Sequence, residues 1–182
     1  MRATGVCNTV LLEPDGTRYG LNTDVTGALM VLGGGATATS LLLALAERGM
    51  RHATLVVRNP ERAADTVHAV AAHRSGPTVE LRTLEGSEEL IGDVLVSTVP
   101  TSAQVPELLA AVAEIPLVFE VVYEPWPTPL AAAAERSGRS VIHGLDLLVA
   151  QAVNQVVAMT GRFDVPVGAM RRAAEDALGA RQ

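Results

Sequence analysis

The sequence predicts an α/β fold: a mainly parallel, doubly wound sheet with helices on both faces, and a short hairpin ahead of it. Three observations carry this expectation. Short apolar runs alternate with segments of helical periodicity, and that alternation demands crossover connections and therefore parallel strands. One run, residues 28–32, leads straight into three glycines and an alanine-rich helix. The 182 residues include 28 alanines and only 3% aromatics, which favours helices packed closely on a sheet.

Taken in order, residues 7–12 and 18–22 read as two short strands around the turn Pro14-Asp15-Gly16. The buried strand 28–32 is followed by a helix over 37–48, which Gly49 closes. A strand over 54–57 precedes a helix over 60–73, with Pro60 suited to its first turn. Next come a strand at 78–81, a short helix at 86–91 and a strand at 94–97. A helix at 106–113, a strand at 117–122, a helix near 128–137 and a short strand at 140–142 follow. Helices at 145–160 and 166–179 close the chain. The hairpin does not fit the alternating pattern, so residues 1–27 are expected to be the remnant of another domain. Residues 28–143 then form the main α/β domain, and 144–182 the closing helices.

Composition removes several classes of function. The formal charge is −6 and no basic stripe is present, which argues against a nucleic-acid surface or an anionic membrane surface. All 14 basic residues are arginines, which excludes a Schiff-base lysine, a P-loop lysine or a lysine acid on these residues. A lone Cys7 cannot form an intrachain disulfide, so a cytoplasmic location is expected. No stretch approaches the ~20 apolar residues of a membrane span, and no signal region follows Met1. His52, His68, His73 and His143 lack metal-ligand spacing, so no metal is expected.

The segment Gly33-Gly34-Gly35-Ala36-Thr37-Ala38 fits G-x-G-x-x-A between a strand and a helix, the context in which this pattern binds a dinucleotide. Gly33 permits the tight turn, Gly35 lets a pyrophosphate approach the backbone, and Ala38 lets helix and strand pack closely, as in a Rossmann-like fold. A glycine-rich turn that holds no ligand is the competing reading. About 20 residues on, where an acid would bond the ribose 2′-hydroxyl of NAD, stands Val57-Arg58-Asn59-Pro60-Glu61-Arg62. Arg58 and Arg62 suit a 2′-phosphate, so the expected cofactor is NADP. Alternatively the two arginines belong to a solvated helix start, where the dipole mildly disfavours cations.

Several separated segments together resemble the shikimate dehydrogenases. They are residues 5–9, 20–24, the glycine loop, 58–62, 93–96, Val122-Tyr123-Glu124-Pro125 with Thr128-Pro129-Leu130, and 144–151. The resemblance implies NADP-linked interconversion of 3-dehydroshikimate and shikimate, in the pathway to aromatic amino acids. It implies substrate-binding positions at Asn8, Asp24, Tyr123 and Gln151, with Asp24 the catalytic aspartate, and it adds Thr98 and Gly144 to the cofactor positions. A polyhydroxylated carboxylate suits such a set, because amides and a carboxylate orient its hydroxyls for hydride transfer. Read without the family, Asn8 and Asn22 are turn residues, Asp24 a helix cap, Tyr123 a buried aromatic and Gln151 an ordinary helical polar residue.

The sequence departs from the family pattern in several places. The substrate-domain segment that carries the family's catalytic lysine has no counterpart in these 182 residues. Gly27 runs directly into the strand at 28, where the family inserts a helix between its domains. Ser97-Thr98-Val99-Pro100 stands where Asn-Ala-Thr-Ser is usual, and Glu120 where aspartate is common. Two other readings therefore stand beside the first: a catalytically silent NADP-binding module, and a quinate/shikimate enzyme of relaxed cofactor choice. In each, the partner is a small molecule and the protein a monomer or homodimer.

Overall fold

The computed structural model describes residues 9–12, 18–21, 28–83 and 89–180. Strands β1 (Thr9–Leu12) and β2 (Arg18–Leu21) pair antiparallel, Thr9 opposite Leu21 and Leu12 opposite Arg18, as the hairpin signal predicts. The expected domain boundary near Gly27 lies outside the described residues.

The remaining strands form one sheet: β3 (Leu29–Leu32), β4 (His52–Val57), β5 (Thr78–Thr83), β6 (Val94–Ser97), β7 (Leu117–Glu120) and β8 (Ser140–His143). Their spatial order is β5-β4-β3-β6-β7-β8 and every pairing is parallel. Strand order reverses between β3 and β6, so this is the doubly wound arrangement, with a crevice at that switch point. The helices are α1 (Ala36–Glu47), α2 (Pro60–Ala71), α3 (Pro106–Ala111), α4 (Pro129–Arg136), α5 (Gly144–Thr160) and α6 (Val167–Gly179).

Alternation along each strand splits the core between the two faces. Val31, Leu55, Val57 and Val96 join Ala38, Leu42 and Ala46 of α1 and Ala63 and Val70 of α2. Met30, Leu32, Val56, Leu95 and Val118 join Leu108, Ala111 and Val112 at α3 and Leu130 and Ala134 of α4. The fourfold spacing of Ala38, Leu42 and Ala46 puts one stripe of α1 on the sheet, and the two alanines let it lie close. Each wholly buried leucine, such as Leu42, Leu55 or Leu95, contributes about 1.5–3 kcal/mol of transfer free energy.

Helix starts follow the punctuation. Asn59 caps α2, its side chain accepting from the Glu61 and Arg62 amides at 2.9 and 3.4 Å, ahead of Pro60. Thr128 caps α4 by accepting from the Ala131 amide. Gly161 ends α5 in the left-handed conformation.

The structure corrects the reading in several places. No helix is present at 89–91: Leu90 is buried and its amide donates to the Ala111 carbonyl at 2.7 Å, anchoring the segment to the end of α3 instead of to its own preceding turn. Residues 84–88, the rest of that stretch, lie outside the described residues. Strand β7 ends at Glu120, two residues early, because the Val122 amide turns back onto the Glu120 carboxylate. Strands β4 and β5 are each two residues longer than expected, paired from His52 with Thr78 to Val57 with Thr83. A 3-10 turn at Thr101–Ala103, which carried no sequence signal, precedes α3. Among the described residues no helix is long and apolar enough to cross a membrane.

Candidate functional site

The crevice at the switch point opens into a cleft of about 1250 Å³. One wall is the glycine turn after β3, with Arg58 and Asn59 between β4 and α2 and Arg62 in the first turn of α2. The other is Val99, Val105 and α3 with Leu108 and Ala111. The β4 side therefore carries cations and the α3 side an apolar surface, rimmed by Glu89, Glu107 and Glu114.

Two glycines of the turn each have their own steric reason. Gly33 has φ +95°, and a Cβ there would meet Thr98 Oγ1 at 2.6 Å. Its amide donates to the Val56 carbonyl at 2.9 Å, tying the turn to β4. A Cβ on Gly34 would meet the Ala63 Cβ at 2.7 Å, so the turn lies directly on α2. A Cβ on Gly35 would meet nothing within 4 Å: this position faces open space in the cleft.

Gly35 is also the N-cap of α1, with no side-chain cap and no acid in the first turn. Helix α1 thus presents unsatisfied amides and the positive end of its dipole beside the open cleft, which suits an anion. Ala36 and Thr37 are exposed in that first turn, while Ala38 is fully buried and supplies the close packing expected of it. Arg58 and Arg62 are exposed, and among the described residues neither guanidinium forms an ion pair or hydrogen bond. Unpaired guanidiniums on a cleft wall are free to take a phosphate bidentately.

Thr98 fastens the other side of the turn. Its amide and its hydroxyl both donate to the Leu32 carbonyl, at 3.0 and 2.8 Å. Thr98 therefore touches the glycine turn and leaves the cleft wall to Val99.

Beyond β7 lies a polar cluster that sequence reasoning missed. Glu120 is wholly buried; its Oε2 accepts from Gln104 Nε2 at 2.8 Å and from the Thr128 hydroxyl at 3.0 Å, and its Oε1 from the Val122 amide at 3.1 Å. Gln104 Oε1 in turn accepts from the Leu130 amide. Burial pushes the Glu120 carboxyl above its ordinary value, although these donors pull in the other direction. Ser97 also lowers it, yet its buried hydroxyl makes no hydrogen bond of normal geometry. One carboxylate thus joins the Gln104 turn, the loop after β7 and the start of α4. The only local signal was an acid ending an apolar strand.

Of the residues expected on the substrate side, neither Tyr123 nor Gln151 lines the large cleft. Tyr123 lines a separate hollow of about 240 Å³ with Trp126, His143, Leu145 and three residues of the α6 region. The rings of Trp126 and His143 lie 3.9 Å apart, centre to centre. Gly144 opens α5 buried, and a Cβ there would fall 1.9 Å from the Val121 carbonyl oxygen, so the loop after β7 demands glycine at this position. Gln151 is exposed two turns further along α5. Asn8 and Asp24 lie outside the described residues. Of the four histidines, His73 bonds Glu47 at 2.9 Å, the His143 ring lies tilted against Trp126, and His52 and His68 are exposed.

No family model matches the chain. It is 33% identical to a shikimate dehydrogenase (NADP(+)) of Oleidesulfovibrio alaskensis, over 97% of this chain and 68% of that one. It is 32% identical to the protein of the same name from Rubrobacter xylanophilus, over 94% and 67%. In structure it is similar to the Mycobacterium tuberculosis shikimate dehydrogenase, with a TM-score of 0.72 and 34% identity over 94% of this chain and 68% of that one. A quinate dehydrogenase of Corynebacterium glutamicum in complex with NAD shares the fold, with a TM-score of 0.70 and 22% identity. The chain spans about two thirds of the length of the curated relatives it matches.

Proposed function

The chain belongs to the shikimate dehydrogenase family, and on that premise we propose that it binds NADP in the cleft at the switch point and serves the interconversion of 3-dehydroshikimate and shikimate. The observation that carries the cofactor reading is the joint placement of an anion-ready glycine turn and two unpaired arginines on one cleft wall. When bound, the dinucleotide supplies or accepts the hydride. The α1 amides and the Gly35 position receive the pyrophosphate, and Arg58 and Arg62 receive the 2′-phosphate. The apolar surface of Leu108 and Ala111 shields the cleft from water on the opposite side. Thr98 and Gly144 act at one remove, the first holding the glycine turn and the second fixing where α5 starts.

On the substrate side the proposed set is Asn8, Asp24, Tyr123 and Gln151, with Asp24 as the catalytic carboxylate that orients the reacting hydroxyl. In domain terms, residues 28–143 would be the cofactor domain, 1–27 part of the substrate domain, and 144–182 the helices that close toward the substrate. The second reading, a silent NADP-binding module, rests on the absence of any lysine from the 182 residues. With none present, no lysine of this chain protonates the carbonyl oxygen.

Calorimetric titration with NADP and NAD, followed by an assay of shikimate-dependent NADPH formation, tests both readings. Tighter binding of NADP with turnover supports the enzyme, and binding without turnover supports the module. A preference for NAD would contradict the role given to Arg58 and Arg62.

A further inference from the structure

Thr66 sits in the second turn of α2, is only 4% exposed, and lies 32 residues from the glycine turn in sequence. Its hydroxyl donates to the Gly34 carbonyl at 2.9 Å. Thr39 of α1 lies 2.7 Å from the same hydroxyl, and its own alternative acceptor is the Gly35 carbonyl at 3.1 Å. Each hydroxyl has one proton; with Thr66 giving its proton to the nearer carbonyl, Gly34 at 2.9 Å against Gly35 at 3.1 Å from Thr39, the chain runs from Thr39 to Thr66 to the Gly34 carbonyl.

The Gly34 carbonyl and the Gly35 amide belong to one planar, trans peptide unit and point in opposite directions. Holding the carbonyl in the interface of α1 and α2 therefore turns the Gly35 N–H away from that interface. The Gly35 N–H has no hydrogen-bond acceptor among the described residues, and the position borders the cleft. Glycines on both sides of this peptide leave it little intrinsic resistance to flipping, so the orientation has to come from a tertiary contact.

From this we infer that Thr66 is a positioning residue: through the Gly34 carbonyl it sets the Gly35 amide to donate to the pyrophosphate of a dinucleotide. The inference rests on the dinucleotide reading above but concerns a residue that never touches the ligand. Removing the hydroxyl should cost pyrophosphate recognition and leave recognition of the 2′-phosphate by Arg58 and Arg62 intact.

The test titrates wild type, Thr66→Val and Thr66→Ser with NADP and with adenosine 2′-monophosphate, which has no pyrophosphate. Thr66→Val should weaken NADP about tenfold, the worth of one hydrogen bond, and change adenosine 2′-monophosphate by less than about twofold. Thr66→Ser should restore NADP to within about threefold of wild type. Unchanged NADP affinity in Thr66→Val, equal losses for both ligands, or no rescue by serine would overturn the inference while the dinucleotide reading stands. A folded wild type that binds no dinucleotide would overturn both. Amide exchange on the wild-type chain gives a readout that does not depend on the variant folding. The Gly35 amide should exchange fast when free and become protected by NADP; slow exchange in the free chain, or no response to NADP, overturns the inference.

Discussion

Replacing Glu120 by glutamine keeps the side chain's shape and changes only its charge and one acceptor. The carboxylate receives three donors: Gln104 and Thr128 at Oε2, and the Val122 amide at Oε1. None of the three is free to turn around. Gln104 is held by the Leu130 amide at its other oxygen, Thr128 accepts from the Ala131 amide, and Val122 donates from the backbone. A glutamine that keeps its oxygen toward Gln104 and Thr128 places its NH₂ against the Val122 N–H, so two donors face each other at a side chain with no exposed surface. A buried donor left without an acceptor costs about 1–3 kcal/mol.

Glu120 also carries a desolvation cost that a neutral side chain avoids, and its pH dependence separates the two effects. Its folded pKa lies above the ordinary 4.5, chiefly through burial. Its contribution to stability is therefore fully present below about 4.5 and is lost as the pH rises through the raised folded value. Glutamine does not titrate, so the gap between wild type and Glu120→Gln should be about 1–3 kcal/mol near pH 5 and narrow toward pH 8. Urea unfolding of both chains at the two pH values measures it. A gap that widens with pH would refute burial as the dominant influence on Glu120, and no destabilisation at either pH would refute the cluster itself.

Substitutions at three further positions probe the cleft wall. Arg58→Ala should weaken NADP by about 1–3 kcal/mol and leave NAD nearly unchanged, as loss of a charge-assisted contact to the 2′-phosphate would; equal losses in paired titrations would contradict that role. Gly34→Ala drives a methyl to 2.7 Å from the Ala63 Cβ, and the overpacking should lower stability by about 1–3 kcal/mol in thermal unfolding. A variant as stable as wild type would mean that the turn and α2 are not in contact. Asn59→Ala removes the α2 cap and should cost about 1 kcal/mol in urea unfolding, whereas Asn59→Asp should preserve the cap.

What the sequence determined alone is what short windows determine. Apolar runs bounded by glycine and proline placed β3, β6 and the helix starts, because strand and helix periods and capping chemistry act over a few residues. Asn59 followed by Pro60 announces α2, and Gly33 to Gly35 between strand and helix announces the tight turn into α1, since both depend on local backbone geometry. The family, too, was legible, because its motifs are short and survive in order.

The remainder was decided by contacts between residues far apart in the chain. The need for glycine at position 144 comes from the Val121 carbonyl against it, and at 34 from Ala63 on another helix. Glu120 found its partners 16 and 8 residues away, and Thr66 reached Gly34 across 32. The helix expected at 86–91 gave way over its described part because the Leu90 amide was claimed by α3. Tyr123 joined Trp126 and His143 instead of the large cleft. Local propensities act through steric and hydrogen-bonding preferences within a turn or two of chain, whereas the acceptor a buried amide reaches, or the side chain a glycine touches, exists only once the sheet order has brought distant segments together.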